Sequence, residues 1–234
     1  GPSPRSAHRG KERPVMHKIT PLLLTSALAF ICLPSHAEYI EPFSCRNGYF
    51  PSEGKFTQLY TVVGKHQTHF FKDTEGCPES EGCMQKAYVI EGDEVQVNKI
   101  AGDWACAWYQ GKKRETVGWI VLENLAPAAD PVPQPTDWLG TWKTPASSIT
   151  IEQQEQGNGL HVTGDATWGT GASTHIGQID GTLTPEGRYA MTKEGDDKYD
   201  CAVEFSRVGR FLIVDDNNNC GGMNVSFDGV YVRE

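Results

Sequence analysis

Apolar and polar residues alternate in short runs on both sides of a proline-rich stretch, and no run lengthens into a helical period. In the later part of the chain the alternation is clearest at Ile149/Ile151, Leu160/Val162, Cys201/Val203/Phe205 and Phe211/Ile213. It predicts about eight strands, at 139–143, 147–153, 159–167, 174–183, 187–192, 199–205, 210–215 and 225–233. Turn-forming clusters separate them: Gly157-Asn158-Gly159, Pro185-Glu186-Gly187, Gly195-Asp196-Asp197 and the run Asp215 to Asn219. Consecutive strands joined by short turns predict an antiparallel up-and-down barrel or sandwich. In the earlier part, Val95 and Val97 alternate as a strand, Ala101-Gly102-Asp103 makes a tight hairpin turn, and Trp104 to Tyr109 forms the return strand. Lys112-Lys113-Arg114 occupies the next loop, and Gly118-Trp119-Ile120 begins another strand. Ala126 to Pro135 holds four prolines in ten residues, which predicts an extended, stiff connection without a core of its own. The expected division is therefore a first domain at 38–126, a linker at 127–136 and a second domain at 137–234, all-β throughout.

The order Gly92-Asp93-x-Val95-x-Val97, Gly102-Asp103-Trp104, Gly118-Trp119-Ile120 and Leu125 resembles the bacterial SH3-like domain. The match is close over about 40 residues, from 87 to 125, and looser over Leu59-Tyr60-Thr61-Val62-Val63 and Thr68-His69-Phe70-Phe71, which would be earlier strands. The resemblance implies a small five-stranded barrel and, in many members, binding of cell-wall or other peptides. One departure is an acidic loop, Lys72 to Lys86, that carries Cys77 and Cys83. Trp104, Cys106 and Trp108 share one face of their strand by the period of two, so a bridge from Cys106 to that loop would fasten it over the tryptophans. Core packing accounts for Trp119 and Tyr88, whereas Tyr60, Trp104, Trp108 and Tyr109 are candidates to line a peptide groove. In the later domain, Gly140-Thr141-Trp142 near its start and Arg233 near its end resemble lipocalin- and avidin-like barrels, in which such a tryptophan closes the floor beside a basic side chain.

The N-terminal region alters the compartment expected. Met16-His17-Lys18, an apolar run from Ile19 to Leu33, and Ser35-His36-Ala37 form the three parts of a secretory signal peptide at 16–37, with cleavage after Ala37. This run of fifteen residues is shorter than the roughly 20 that a spanning helix needs. Residues 1–15 read as an upstream extension or cloning remnant. Export would leave Cys45, Cys77, Cys83, Cys106, Cys201 and Cys220, an even set that reads as disulfides. Cys201–Cys220 follows if no bridge crosses the linker, and the first four allow three pairings. A periplasmic or secreted protein, without an integral membrane segment after cleavage, is expected.

Charge narrows the partner. The full chain carries 21 Lys and Arg against 30 Asp and Glu, net −9. Without residues 1–37, 16 basic and 29 acidic side chains remain, net −13. A nucleic-acid partner is excluded on that balance, and a basic partner is favoured. The exposed acidic group Glu194, Asp196 and Asp197 is a candidate surface for it. No G-x-S-x-G, H-E-x-x-H or phosphate loop is present. Ser173/His175 and His161/Asp165 are chance-level pairs, and neither a metal nor a cofactor is expected. The expectation is a non-catalytic envelope binding protein for a peptide, a cell-wall component or a basic protein, such as a wall-degrading enzyme or toxin that it restrains. The alternatives are a small-ligand carrier using the later barrel and a cell-wall-acting enzyme.

Overall fold

The computed structural model describes residues 44–46, 50, 56–157 and 159–234. The predicted signal peptide and the residues before it lie outside the described residues. The chain is all-β, with two antiparallel sheets. The first contains β1 (Gln58–Val62), β2 (Thr68–Phe71), β3 (Met84–Val89), β4 (Glu94–Ala101), β5 (Trp104–Gln110), β6 (Glu115–Val121) and β7 (Leu125–Pro127), in the order β3-β2-β6-β5-β4-β1-β7. It therefore has seven strands where the SH3-like resemblance implies five. Part of the segment expected as an acidic loop is strand β3. Its exposed positions Met84, Lys86 and Tyr88 alternate with less exposed ones at the edge of the sheet, so Tyr88, expected in the core, lies instead on the solvent face of an edge strand. The sheet curls around Val62, Phe70, Val89, Val95, Ala105, Ala107, Ile120 and Leu125, to which every strand contributes. The β4–β5 hairpin turns at Gly102, whose φ of +55° is a conformation that favours glycine.

The second sheet contains β8 (Gly140–Lys143), β9 (Ser147–Gln153), β10 (Leu160–Trp168), β11 (His175–Leu183), β12 (Tyr189–Lys193), β13 (Ala202–Val208), β14 (Phe211–Asp216) and β15 (Gly229–Arg233). Its order is β11-β10-β9-β8-β15-β14-β13-β12, an up-and-down meander in which the first and last strands pair and only β11 and β12 remain unjoined. This is a nearly closed eight-stranded barrel. Trp142, Ile149, Ile151, Val162, Phe205, Val214, Phe227 and Tyr231 fill it, together with smaller apolar side chains. The last strand is shorter than predicted. The Asp216 carboxylate accepts hydrogen bonds from the Phe227 N–H and the Ser226 hydroxyl, so side-chain acceptors replace a strand ladder at 225–228. The Asp228 carboxyl, which accepts the Asp216 N–H in return, is pushed above its usual range, by burial first.

A third apolar cluster joins the sheets. Leu59, Cys106, Trp108 and Trp119 of the first pack with Val208, Phe211, Ile213 and Val230 of the second, and Cys45 and Phe50 belong to the same cluster. The Trp108 and Phe211 rings meet edge-on at 5.0 Å. The connecting segment takes part through Asp130. Arg188 Nη1 donates to its Oδ2 at 2.6 Å, and the Gly209 N–H donates to its Oδ1 at 3.1 Å. Gln96 pairs in register with Leu59 and Trp108, on the same side of β4. It is fully buried, and neither of its amide atoms has a hydrogen-bond partner. Replacing a buried, unsatisfied amide by an apolar side chain of similar shape removes a desolvation penalty. Gln96→Met is therefore expected to raise unfolding free energy by about 1–3 kcal/mol. Urea denaturation checks this, and a loss of stability would refute it.

Candidate functional site

The three disulfides are Cys45–Cys106, Cys77–Cys83 and Cys201–Cys220. The last is the pair expected from the sequence. The first two correct the idea that Cys106 fastens the 72–86 loop over the tryptophans. That loop is closed on itself by Cys77–Cys83, while Cys106 holds the segment before β1. Three disulfides mark an oxidising, extracytoplasmic environment. Among the described residues no helix is long and apolar enough to cross a membrane, and no group of three or more His, Cys, Asp or Glu side chains is arranged to hold a metal ion.

The aromatic candidates divide between two faces. Trp104 meets Phe71 edge-on at 4.8 Å and packs against the apolar cluster between the sheets. Trp108 is buried inside that cluster, with its Nε1–H donated to Glu115. Tyr60 and Tyr109 belong instead to the core within the first sheet. The Tyr109 hydroxyl is pushed above its ordinary pKa by burial and then by the Asp93 carboxylate. The alternation of β5 explains the split: residues 104, 106 and 108 point one way and residues 105, 107 and 109 the other. The four rings do not share a groove, and the face that carries two of them is covered by the second sheet.

The acidic candidates lie on the loop between β12 and β13. Glu194, Asp196 and Asp197 are exposed. The Asp197 carboxylate accepts the Tyr199 N–H at 3.0 Å, and Asp200 accepts the Asp197 N–H at 2.8 Å, so the loop is folded on its own side chains. Of the paper enzyme pairs, His161 Nε2 lies 2.8 Å from Asp180 Oδ1 rather than near Asp165, whose carboxylate accepts a hydrogen bond from Gln178.

The other end of β12 carries a feature that sequence reading missed. Where β11 and β12 lack a ladder, the outer wall opens into a recess of about 440 Å³. Thr182, Thr184 and Glu186 line one side, and Tyr189, Met191 and Glu204 line the other. Ala190 and Phe205 contribute from the buried side of their strands. Gly181 closes the seam beyond the recess: a Cβ there would lie 2.1 Å from Thr192 Oγ1, so only glycine lets the two strands approach. Tyr189 and Met191 are the outward residues of β12, at 41% and 57% exposure, opposite Ser206 and Glu204 of β13. An aromatic and a thioether at outward positions of a barrel strand are the signal available in the sequence. Segment 130–132 borders this region: Arg188 is held by Asp130, and Val132 lies beside Gly187. The recess and the acidic loop thus occupy opposite ends of one strand, about 13 Å apart along it at the usual rise per residue.

Comparison of the chain with family models, with curated proteins and with solved structures finds no match.

Proposed function

We propose that this is an exported, non-catalytic binding protein of the cell envelope, periplasmic or secreted, that holds a cationic protein or peptide against the outer wall of its second barrel. The observation that carries this reading is the division between a filled interior and a recessed, acidic exterior. Nineteen buried residues pack the barrel interior, which supports a binding element on the outer wall rather than an interior chamber. Outside, Glu186 and Glu204 border the recess, and Glu194, Asp196 and Asp197 follow on the same strand's exit loop. A protein of net −9 with acids grouped on a rigid disulfide-bonded scaffold attracts a basic partner over a range set by salt. A restrained wall-degrading enzyme or toxin fits that chemistry, and so does a cationic cell-wall peptide.

The test is capture from envelope extract by the immobilised protein, read by mass spectrometry at about 50 mM and about 500 mM salt, where the screening length falls severalfold. Cationic proteins or peptides retained at low salt and released at high salt are expected. Glu194→Lys/Asp196→Lys, which leaves the Asp197–Tyr199 turn intact, is expected to reduce capture at least tenfold, with the melting temperature unchanged. Capture indifferent to both salt and charge reversal would remove the acidic-wall reading.

A further inference from the structure

We infer that the seam recess is a side-chain pocket for an extended polypeptide segment, which places one apolar residue between β11 and β12 and a lysine or arginine about four residues away on the β12–β13 loop. This rests on the proposed binding function and names the form its partner takes.

The shape of the site argues for a chain rather than a globular surface. The recess lies between Thr182 and Thr184 on one side and Tyr189 and Met191 on the other, and the strands meet at Gly181 and Thr192 beyond it. Its volume of about 440 Å³ accepts a large side chain together with part of its backbone. Its buried lining is Ala190, Phe205 and Ser206, while its rim is Thr, Glu, Tyr and Met. An aliphatic or aromatic side chain gains burial there, and the chain that carries it finds polar groups at the edge.

The backbone of β12 supports an extended ligand. Arg207 N donates to Arg188 O, and Glu194 N donates to Cys201 O. In an antiparallel ladder the directly bonded pairs alternate, so Ala190 and Thr192 also direct their backbone groups toward β13. Those of Met191 then face the recess, on the near side of the Gly181–Thr192 contact, where no ladder joins β11. A segment whose side chain enters the recess meets the Met191 backbone groups and then runs over the outward face of β12 rather than between the strands. Charge sets the rest. Glu186 and Glu204 stand at the recess, and the acidic loop lies about 13 Å further on, which an extended partner covers in about four residues.

The experiment selects random decapeptides displayed on phage against the purified full chain, and measures each selected sequence as a soluble fluorescent peptide. Selected peptides are expected to pair an aromatic or aliphatic residue with Lys or Arg three to five positions away. Filling the recess with Thr184→Trp, or placing a cation on its wall with Met191→Arg, is expected to weaken their binding at least tenfold. Both sites are exposed, so folding is preserved, and an unchanged melting temperature verifies it. Shifts of the Met191 methyl resonance on titration give a second readout. Peptides that bind equally well to both variants and leave that methyl unmoved would overturn the pocket while leaving the acidic-wall function standing. Failure to select any peptide, with cationic partners still captured from extract, would overturn it too. Absence of both kinds of binding would overturn the function on which it rests.

Discussion

Replacing Trp142 by alanine is expected to cost about 5 kcal/mol, the upper end for removing a buried aromatic side chain. The indole is fully buried, and its Nε1–H donates to the Trp138 carbonyl at 3.0 Å. Two guanidinium carbons, of Arg207 and Arg233, each lie 4.5 Å from its ring centroid. Arg207 is itself buried, and its Nη1 donates to the Phe211 carbonyl while its Nε has no hydrogen-bond partner. Burial, and then the neighbouring Arg233 charge, push its pKa down to about 10. The indole face, together with the Asp137 and Asp130 carboxylates, makes a buried cation tolerable. Its removal opens a cavity and also strips a partner from Arg207, so the two losses fall on one variant. Domains of ordinary stability hold only about 5–15 kcal/mol, so much of the barrel's stability is at stake. Trp142→Phe keeps a ring beneath both cations and is expected to cost about 2 kcal/mol. Urea unfolding followed by circular dichroism measures both, and a cost below about 2 kcal/mol for the alanine variant would show that the cations do not depend on the indole.

Arg233 beside Trp142 is readable from the sequence, because the resemblance to lipocalin- and avidin-like barrels rests on those two residues. Arg207 was not read, although it occupies an inward position of β13 after Val203 and Phe205. A charged residue in an apolar alternation is a sign of a buried pairing, but alternation does not name the partner. The same limit explains the first sheet. Period two places Trp104, Cys106 and Trp108 on one face, and the structure agrees, yet nothing local says that the covering layer is the second sheet rather than a ligand. Strands with strict alternation are located closely, as at 147–153, which is β9 residue for residue. Strand β3 is missed because an edge strand with Gln85 and Lys86 has too few buried positions to alternate. The recess is least legible of all. It depends on a hydrogen-bond ladder that is not made between β11 and β12, and a missing ladder leaves no mark in composition.

The proline-rich stretch shows how the two levels of reading meet. Its composition predicts an extended connection, and the chain there forms no core of its own. The Asp130 carboxylate nevertheless binds the Arg188 guanidinium and the Gly209 N–H, on two different turns of the second barrel. Gly209 in turn lies against Leu59 of the first sheet. The connection therefore fixes the edge of the apolar cluster shared by both sheets, and it borders the recess through Val132. Scaffold and candidate site are coupled through the same few residues.

Removing Cys45–Cys106 is expected to be the costliest of the three disulfide deletions. In the chain-entropy description the loss grows with the loop that the bridge closes, and the sequence separations are 61, 19 and 6. These correspond to about 4, 3 and 2 kcal/mol for Cys45–Cys106, Cys201–Cys220 and Cys77–Cys83. Position adds to the first. Cys45 and Cys106 are both buried in the cluster between the sheets, beside Trp108. The segment they anchor is also held by Asp73, whose carboxylate accepts the Cys45 N–H at 3.0 Å, the Arg46 Nε–H at 3.3 Å and the Trp119 Nε1–H at 3.2 Å. Releasing Cys45 loosens a buried carboxylate and a buried indole together. The double variant Cys45→Ala/Cys106→Ala is therefore expected to lower the melting temperature more than either other pair, and to weaken both sheets at once because they share the cluster. Scanning calorimetry on the three double variants measures the order. A larger loss from Cys77→Ala/Cys83→Ala, or a first sheet that melts separately while the second holds its original temperature, would refute the account, since either result requires the shared cluster to contribute little to cohesion between the sheets.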